Sequence, residues 1–261
     1  MCFSLSAQKI IDLSGKWSFS IDRQDNGEKE KWFSHTLNDF INLPGSMPEK
    51  LKGDEVTAKT QWTGSLYDSS YYYNPYMEKY RKEGNIKFPF FLTPDKHYVG
   101  AAWYQKEVIY LPTGKVNVFC CSWNVPHIET TVWVNGQKTG MQNSLCVPHQ
   151  YDITRYVRPG KCTITIRVDN RIKEINVGPD SHSITDQTQG NWNGIVGRIC
   201  LQTTPKTYFD DIQIYPEPEQ KLARVKVVIK GTGTAKVKLS AESFNTDKKA
   251  YSSRHTTRNQ T

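Results

Sequence analysis

The chain has 261 residues, 37 % of them hydrophobic and 12 % aromatic, and a formal charge of +8 from 34 Lys and Arg against 26 Asp and Glu. That is enough chain for one large domain or two modest ones, and Trp and Tyr run through its first 210 residues, which excludes low-complexity disorder. No apolar run approaches the roughly 20 residues of a membrane-spanning helix, so no membrane span is expected.

The first eight residues, Met1-Cys2-Phe3-Ser4-Leu5-Ser6-Ala7-Gln8, read either as the remnant of a secretory signal cut after Ala7 or as a frayed terminus. The signal reading carries the expectation of a secreted or periplasmic bacterial protein. Strand periodicity begins with Trp17, Phe19 and Ile21 alternating against Lys16, Ser18 and Ser20. Residues 46–100 break that rhythm with a polar and aromatic stretch containing Gln61-Trp62-Thr63-Gly64 and Tyr71-Tyr72-Tyr73-Asn74-Pro75-Tyr76. Insertions of that length between strands tend to be functional loops.

Val116, Val118 and Cys120 then alternate with Asn117, Phe119 and Cys121, and residues 130–134 run into Asn135-Gly136. That dipeptide is a strong two-residue hairpin signal, because both positions tolerate positive φ. Ile164, Ile166 and Val168 alternate with Thr163, Thr165 and Arg167. A second interruption spans 171–197, with Gly178-Pro179-Asp180 followed by Asp186-Gln187-Thr188-Gln189-Gly190-Asn191-Trp192-Asn193-Gly194. After Thr203-Thr204-Pro205 the composition shifts; residues 209–214, 225–229 and 237–239 read as strands, with Pro216-Glu217-Pro218 as a joint. Residues 251–261 are polar and basic without apolar periodicity and read as a disordered tail. No segment holds a 3.6-residue stripe of helical length, so an all-β sandwich is expected.

Several chemistries are expected to be absent. Residues 1–220 hold 24 basic and 24 acidic side chains, and residues 221–261 hold 10 and 2, so the whole excess of charge lies at the end of the chain. A nucleic-acid partner is therefore not expected, since its basic residues would cluster on the aromatic-bearing part. The six cysteines, at 2, 120, 121, 146, 162 and 200, form no C-x-x-C pair and share no ligand spacing with the histidines. Neither a metal site nor a disulfide framework follows, and no cofactor is expected.

One ordered set of strings points to a family. Leu13-Ser14-Gly15-Lys16-Trp17-Ser18-Phe19, Leu43-Pro44-Gly45-Ser46, Ala102-Trp103-Tyr104-Gln105-Lys106 and Val132-Trp133-Val134-Asn135-Gly136 are followed by Tyr151-Asp152-Ile153-Thr154, Ile166-Arg167-Val168-Asp169-Asn170 and Gly194-Ile195-Val196-Gly197-Arg198-Ile199. Across residues 13–201 the set resembles the N-terminal sugar-binding domain of glycoside hydrolase family 2, the family of β-galactosidases, β-glucuronidases and β-mannosidases. The resemblance implies a jelly-roll (galactose-binding-like) sandwich over 9–205 and part of an immunoglobulin-like sandwich over 206–261. In the family a TIM barrel with two catalytic glutamates follows. A barrel needs about 250 residues, and no Asn-Glu dipeptide of the family's acid/base type occurs here. The expectation is a non-catalytic sugar-binding and scaffold portion of a glycosidase, whose partners are a β-glycoside or oligosaccharide and the catalytic barrel. The alternative is a stand-alone lectin-like module.

Trp17, Trp103 and Trp133 fall at strand period and read as core; Asp152 and Asp169 read as turn or ion-pair residues beside Arg167. The loop before the last jelly-roll strand is different. In family 2 it places a carboxylate near the sugar hydroxyls, and Asp186, Gln187, Asn191 and Trp192 stand where that loop should be. A carboxylate or amide takes two hydroxyls and an indole covers the apolar face of a pyranose. The competing reading is a loop that only caps its own sandwich. Trp62, at the head of the aromatic insertion, suits either sugar stacking or packing against a neighbouring domain.

Overall fold

The alternation in the sequence becomes a β-sandwich in the computed structural model, which describes residues 9–63, 70–89, 94–110, 115–120, 128–144, 147–173, 191–205, 207–231, 235–242 and 251–258. The chain divides into a unit of residues 8–203 and a second unit built on 204–261. The strands of the first are β1 (Lys9–Asp12), β2 (Gly15–Asp22), β3 (Asp39–Leu43), β4 (Gly45–Ser46), β5 (Asp54–Glu55), β6 (Lys96–His97) and β7 (Ala101–Tyr110). They continue as β8 (Lys115–Cys120), β9 (Glu129–Val134), β10 (Gln137–Asn143), β11 (His149–Asp152), β12 (Gly160–Asp169), β13 (Gly194–Ile195) and β14 (Ile199–Thr204). Among the described residues one sheet has the order β10-β9-β12-β7-β2-β3 and the facing sheet β1-β14-β8-β11.

β12 is central because it is paired on both sides, to β7 from Gly160↔Tyr110 to Asp169↔Ala101 and to β9 from Ile164↔Val134 to Asp169↔Glu129. Its even positions, Ile164, Ile166 and Val168, are fully buried in one cluster with Trp17, Phe19, Tyr104, Val132, Ile199 and Leu201 from both sheets. Burial of each such side chain contributes about 1.5–3 kcal/mol. The odd positions face the other side of the sheet, where Trp103 and Trp133 lie beneath Leu37, Trp32 and Phe33. Phe33 stacks on Trp133 at 5.2 Å, and the Trp103 indole donates to Asp22 Oδ2 at 2.9 Å. The three tryptophans read as core are thus buried, one between the sheets and two under the chain that crosses the outer face.

The Asn135-Gly136 turn adopts φ of 50° and 77°, and the Asn135 side chain ties the turn to Thr163 N at 2.9 Å and Tyr156 O at 3.0 Å. The 46–100 insertion is not structureless. β5 pairs with β6, and between them stand a short helix α1 (Ser70–Tyr73) and a 3-10 turn at Pro75–Tyr80. Asn74 caps that turn through Tyr76 N at 3.0 Å, and Pro75 at its first position has no amide to satisfy.

The second unit contains β15 (Tyr208–Glu217) and β16 (Leu222–Lys230), joined by a 3-10 turn at Pro218–Gln220, then β17 (Ala235–Glu242) and β18 (Tyr251–Arg258). Each pair is antiparallel. β18 departs from the disordered tail expected there: Tyr251↔Glu242 through Arg258↔Ala235 form a ladder. Such a ladder is made of backbone hydrogen bonds and needs no apolar alternation of its own. Among the described residues no helix is long and apolar enough to cross a membrane.

Candidate functional site

β12 ends on Asp169, which is fully buried, and the chain then departs through Asn170 and residues 171–173 to return at Asn191. The departure is held by charge. Arg167 reaches Asp25 at 2.6 Å, Asp169 at 2.9 Å and Glu129 at 3.1 Å. Arg171 reaches Asp25 and Asp169 at 2.5 Å, and Lys173 reaches Asp169 at 2.8 Å and Glu129 at 3.1 Å. Three cations therefore face three carboxylates, which is what lets charges sit at the edge of a core. Burial opposes the charge of Asp169, but hydrogen bonds from Arg171 and Lys173 outweigh it and hold its carboxyl well below the usual range.

The return is held by amides. Asn170 accepts from Gly100 N at 2.8 Å and donates to Tyr98 O at 2.8 Å and to Asn191 Oδ1 at 3.1 Å. Asn191 donates back to Asn170 O at 3.2 Å and across to Thr63 Oγ1 at 3.0 Å. Two residues on, Asn193 donates to Gly100 O at 2.9 Å and Val168 O at 3.0 Å and accepts from the Tyr104 hydroxyl at 2.7 Å. Burial, with Tyr98 adding to it, pushes that hydroxyl well above its ordinary range, so it stays a donor. Gly194 follows at φ 145°, where a Cβ would lie 2.6 Å from Gly45 O; only glycine lets β13 come this close to β4. The base of the 174–190 segment is therefore tied to the ends of β12, β9 and β7 and to the turns beside them.

Thr63 links this base to the aromatic insertion. Trp62 packs on His97 at 4.6 Å and edge-on to Phe88 at 4.8 Å, and Phe88 packs on the buried Tyr71, also at 4.8 Å. His97 is 6 % exposed, with Nε2 3.1 Å from Gln61 O and Nδ1 buried without a hydrogen-bond partner among the described residues.

Of the residues singled out from the sequence, the structure brings Asn191 together with the Trp62-Thr63 pair across 128 residues. Asn191 is 2 % exposed and its amide is engaged within the fold. Trp192 and Trp62 are half-buried. Asp186 and Gln187 lie outside the described residues, as does the signal-like stretch 1–8. Asn170, Asn193, Arg171 and His97 were missed as positioning residues. No local signal marked them, because residues 170 and 191–193 lie outside the strands and the partners that hold the asparagines are remote in sequence. Among the described residues no group of three or more His, Cys, Asp or Glu side chains could hold a metal ion.

Residues 10–205 match the family described as "Glycosyl hydrolases family 2, sugar binding domain". The beta-glucuronidase of Homo sapiens is 24 % identical over 265 residues, covering 89 % of this chain and 35 % of its own length. The beta-galactosidase of Oenococcus oeni is 24 % identical over 230 residues, covering 85 % of this chain and 19 % of its own length. Among solved structures, a beta-glucuronidase of an uncultured Clostridium sp. superposes with a TM-score of 0.62 at 18 % identity, over 98 % of this chain and 40 % of that one. The Ruminococcus gnavus β-glucuronidase in complex with D-glucuronic acid gives 0.59 at 16 % identity, over 98 % and 40 %. The chain thus spans 35 % or less of the length of these two curated relatives.

Proposed function

The chain belongs to glycosyl hydrolase family 2 through its sugar-binding domain, and from that premise we propose that it is the non-catalytic wall of a glycosidase pocket, presenting the 174–190 segment to a sugar held on a catalytic barrel. The observation that supports this most is the doubly anchored base of that segment. A binding loop must be held to within a fraction of an ångström to select hydroxyl geometry. Here the outgoing chain is fixed by Asp169 with three cations, and the returning chain by Asn170, Asn191 and Asn193.

In this reading Asp186 and Gln187 accept and donate hydrogen bonds to sugar hydroxyls, and Trp192 covers a face of the ring. Asn191 positions both by fixing the chain between them, and Trp62 extends the wall beside it. Hydrolysis with retention needs two carboxyl groups about 5–5.5 Å apart on rigid elements. The barrel supplies that pair; this domain supplies orientation and the exclusion of water. The ligand is a β-glycoside of the kind that the names of the relatives describe, and the barrel is the partner.

A half-pocket leaves its polar groups to water and binds weakly. Calorimetric titration of the chain with free galactose and with glucuronic acid is expected to give no saturable heat below millimolar concentration. Micromolar binding of either monosaccharide would contradict the half-pocket and point to a stand-alone lectin-like module instead.

A further inference from the structure

The aromatic insertion encloses a second concavity that the pocket-wall role does not use. A cleft of about 1020 Å³ lies between residues 55–59, 81–88 and 94–95. That volume stands at the upper end of small-molecule sites, which run from about 300 to 1,000 Å³, so it exceeds the needs of a single ring. Its walls are held in place by short-range hydrogen bonds. Thr57 and Thr60 close one wall, Thr57 N on Thr60 Oγ1 at 2.8 Å and Thr60 N on Thr57 O at 3.0 Å. On the other, Lys87 N reaches Tyr80 O at 3.0 Å, Asn85 Nδ2 reaches Lys79 O at 2.8 Å, and the Arg81 guanidinium donates to Tyr71 O.

The lining divides by chemistry. Val56, Ile86 and Phe88 make an apolar floor, with Phe88 wedged between Tyr71 and Trp62. Around it stand cations at Lys59, Arg81 and Lys87 and carboxylates at Glu83 and Asp95; the further carboxylate, Glu55, is taken by Lys96. Among the described residues Lys59, Glu83 and Asp95 form no ion pair, so their charged ends remain available. An apolar floor under interspersed donors and acceptors is complementary to a ligand with C–H faces and an equatorial belt of hydroxyls. A polyanion would meet Glu83 and Asp95, and a polycation would meet the three bases.

We propose that this cleft is a second glycan-binding site that takes a neutral oligosaccharide of more than one residue. It does not depend on the pocket-wall role, which rests on residues 170–193 and Trp62, none of which lines the cleft. Carboxylates and guanidinium hold adjacent hydroxyls there while the floor carries the sugar's apolar face.

The test is an amide-shift NMR titration of the whole chain with cellotetraose, xylotetraose and galactotetraose, and with tetragalacturonate as the anionic probe. At least one neutral tetrasaccharide is expected to bind at millimolar affinity or better, with shifts at residues 55–59 and 81–88. Replacing both Glu83→Ala and Asp95→Ala, two exposed side chains, is expected to weaken it by about tenfold or more with the spectrum of the fold retained. Silence with all three neutral probes overturns the site. So do shifts confined to residues 191–193, affinity unchanged in the double variant, or binding of tetragalacturonate alone.

Discussion

Asn170 and Asn191 clasp each other across the base of the 174–190 segment, side-chain amide to side-chain oxygen at 3.1 Å and side-chain amide to backbone oxygen at 3.2 Å. Neither residue makes a turn. Both are buried, and every contact given above for either leads to a part of the chain remote in sequence: Asn170 to Tyr98 and Gly100, Asn191 to Thr63. The clasp joins the point where the chain leaves β12 to the point where it returns at Asn191.

Asn191→Ala is therefore expected to cost about 1–3 kcal/mol, because it strips partners from buried groups without supplying others. Urea denaturation measures that cost. Hydrogen exchange of the Gly100 amide, whose acceptor is Asn170 Oδ1, is expected to quicken in the variant by more than at amides of β2.

Asp169→Asn leaves Arg167, Arg171 and Lys173 short of one carboxylate in a buried setting. The expected loss is about 3–5 kcal/mol at neutral pH. The folded Asp169 carboxyl is held below its unfolded value. Its contribution is thus complete above about pH 4 and is lost as the pH falls through the folded value. Acid titration of stability should show a steeper fall below about pH 4 in the parent than in Asp169→Asn.

His149 works in the opposite range of pH. It is fully buried, with Nε2 3.1 Å from Ser144 O and Nδ1 2.5 Å from Thr130 Oγ1. A carbonyl only accepts, so Nε2 carries the proton and Nδ1 accepts from the threonine hydroxyl. Burial lowers the imidazole pKa, partly offset by the Ser144 carbonyl. The unfolded chain then takes up a proton first as pH falls, and stability declines from about pH 6.5 downward until the folded value is passed. Chemical denaturation between about pH 5 and 7 should show this slope in the parent and a flatter one in His149→Gln.

The sandwich was legible because its signals are local. Ile164, Ile166 and Val168 declare their strand by alternation alone, and Asn135-Gly136 declares its turn by the φ it permits. The site was less so. Asparagine reads as a turn former, and what makes Asn170, Asn191 and Asn193 structural is a set of partners 21 to 128 residues away, which no local pattern encodes. α1 was hidden inside a tyrosine run, and Asn74, which caps the 3-10 turn that follows, looked like loop polarity. β18 was hidden because a ladder at the end of a chain asks little of its side chains.

The measurement that tests the pocket-wall role most directly is the kcat/KM of Asp186→Asn in a polypeptide joining this domain to a family 2 catalytic barrel, with 4-nitrophenyl β-glucuronide and β-galactoside as substrates. Loss of a charged hydrogen bond to a sugar hydroxyl is expected to lower kcat/KM for the better substrate by about 10- to 100-fold, with the melting temperature unchanged. A kcat/KM equal to that of the parent would contradict the role.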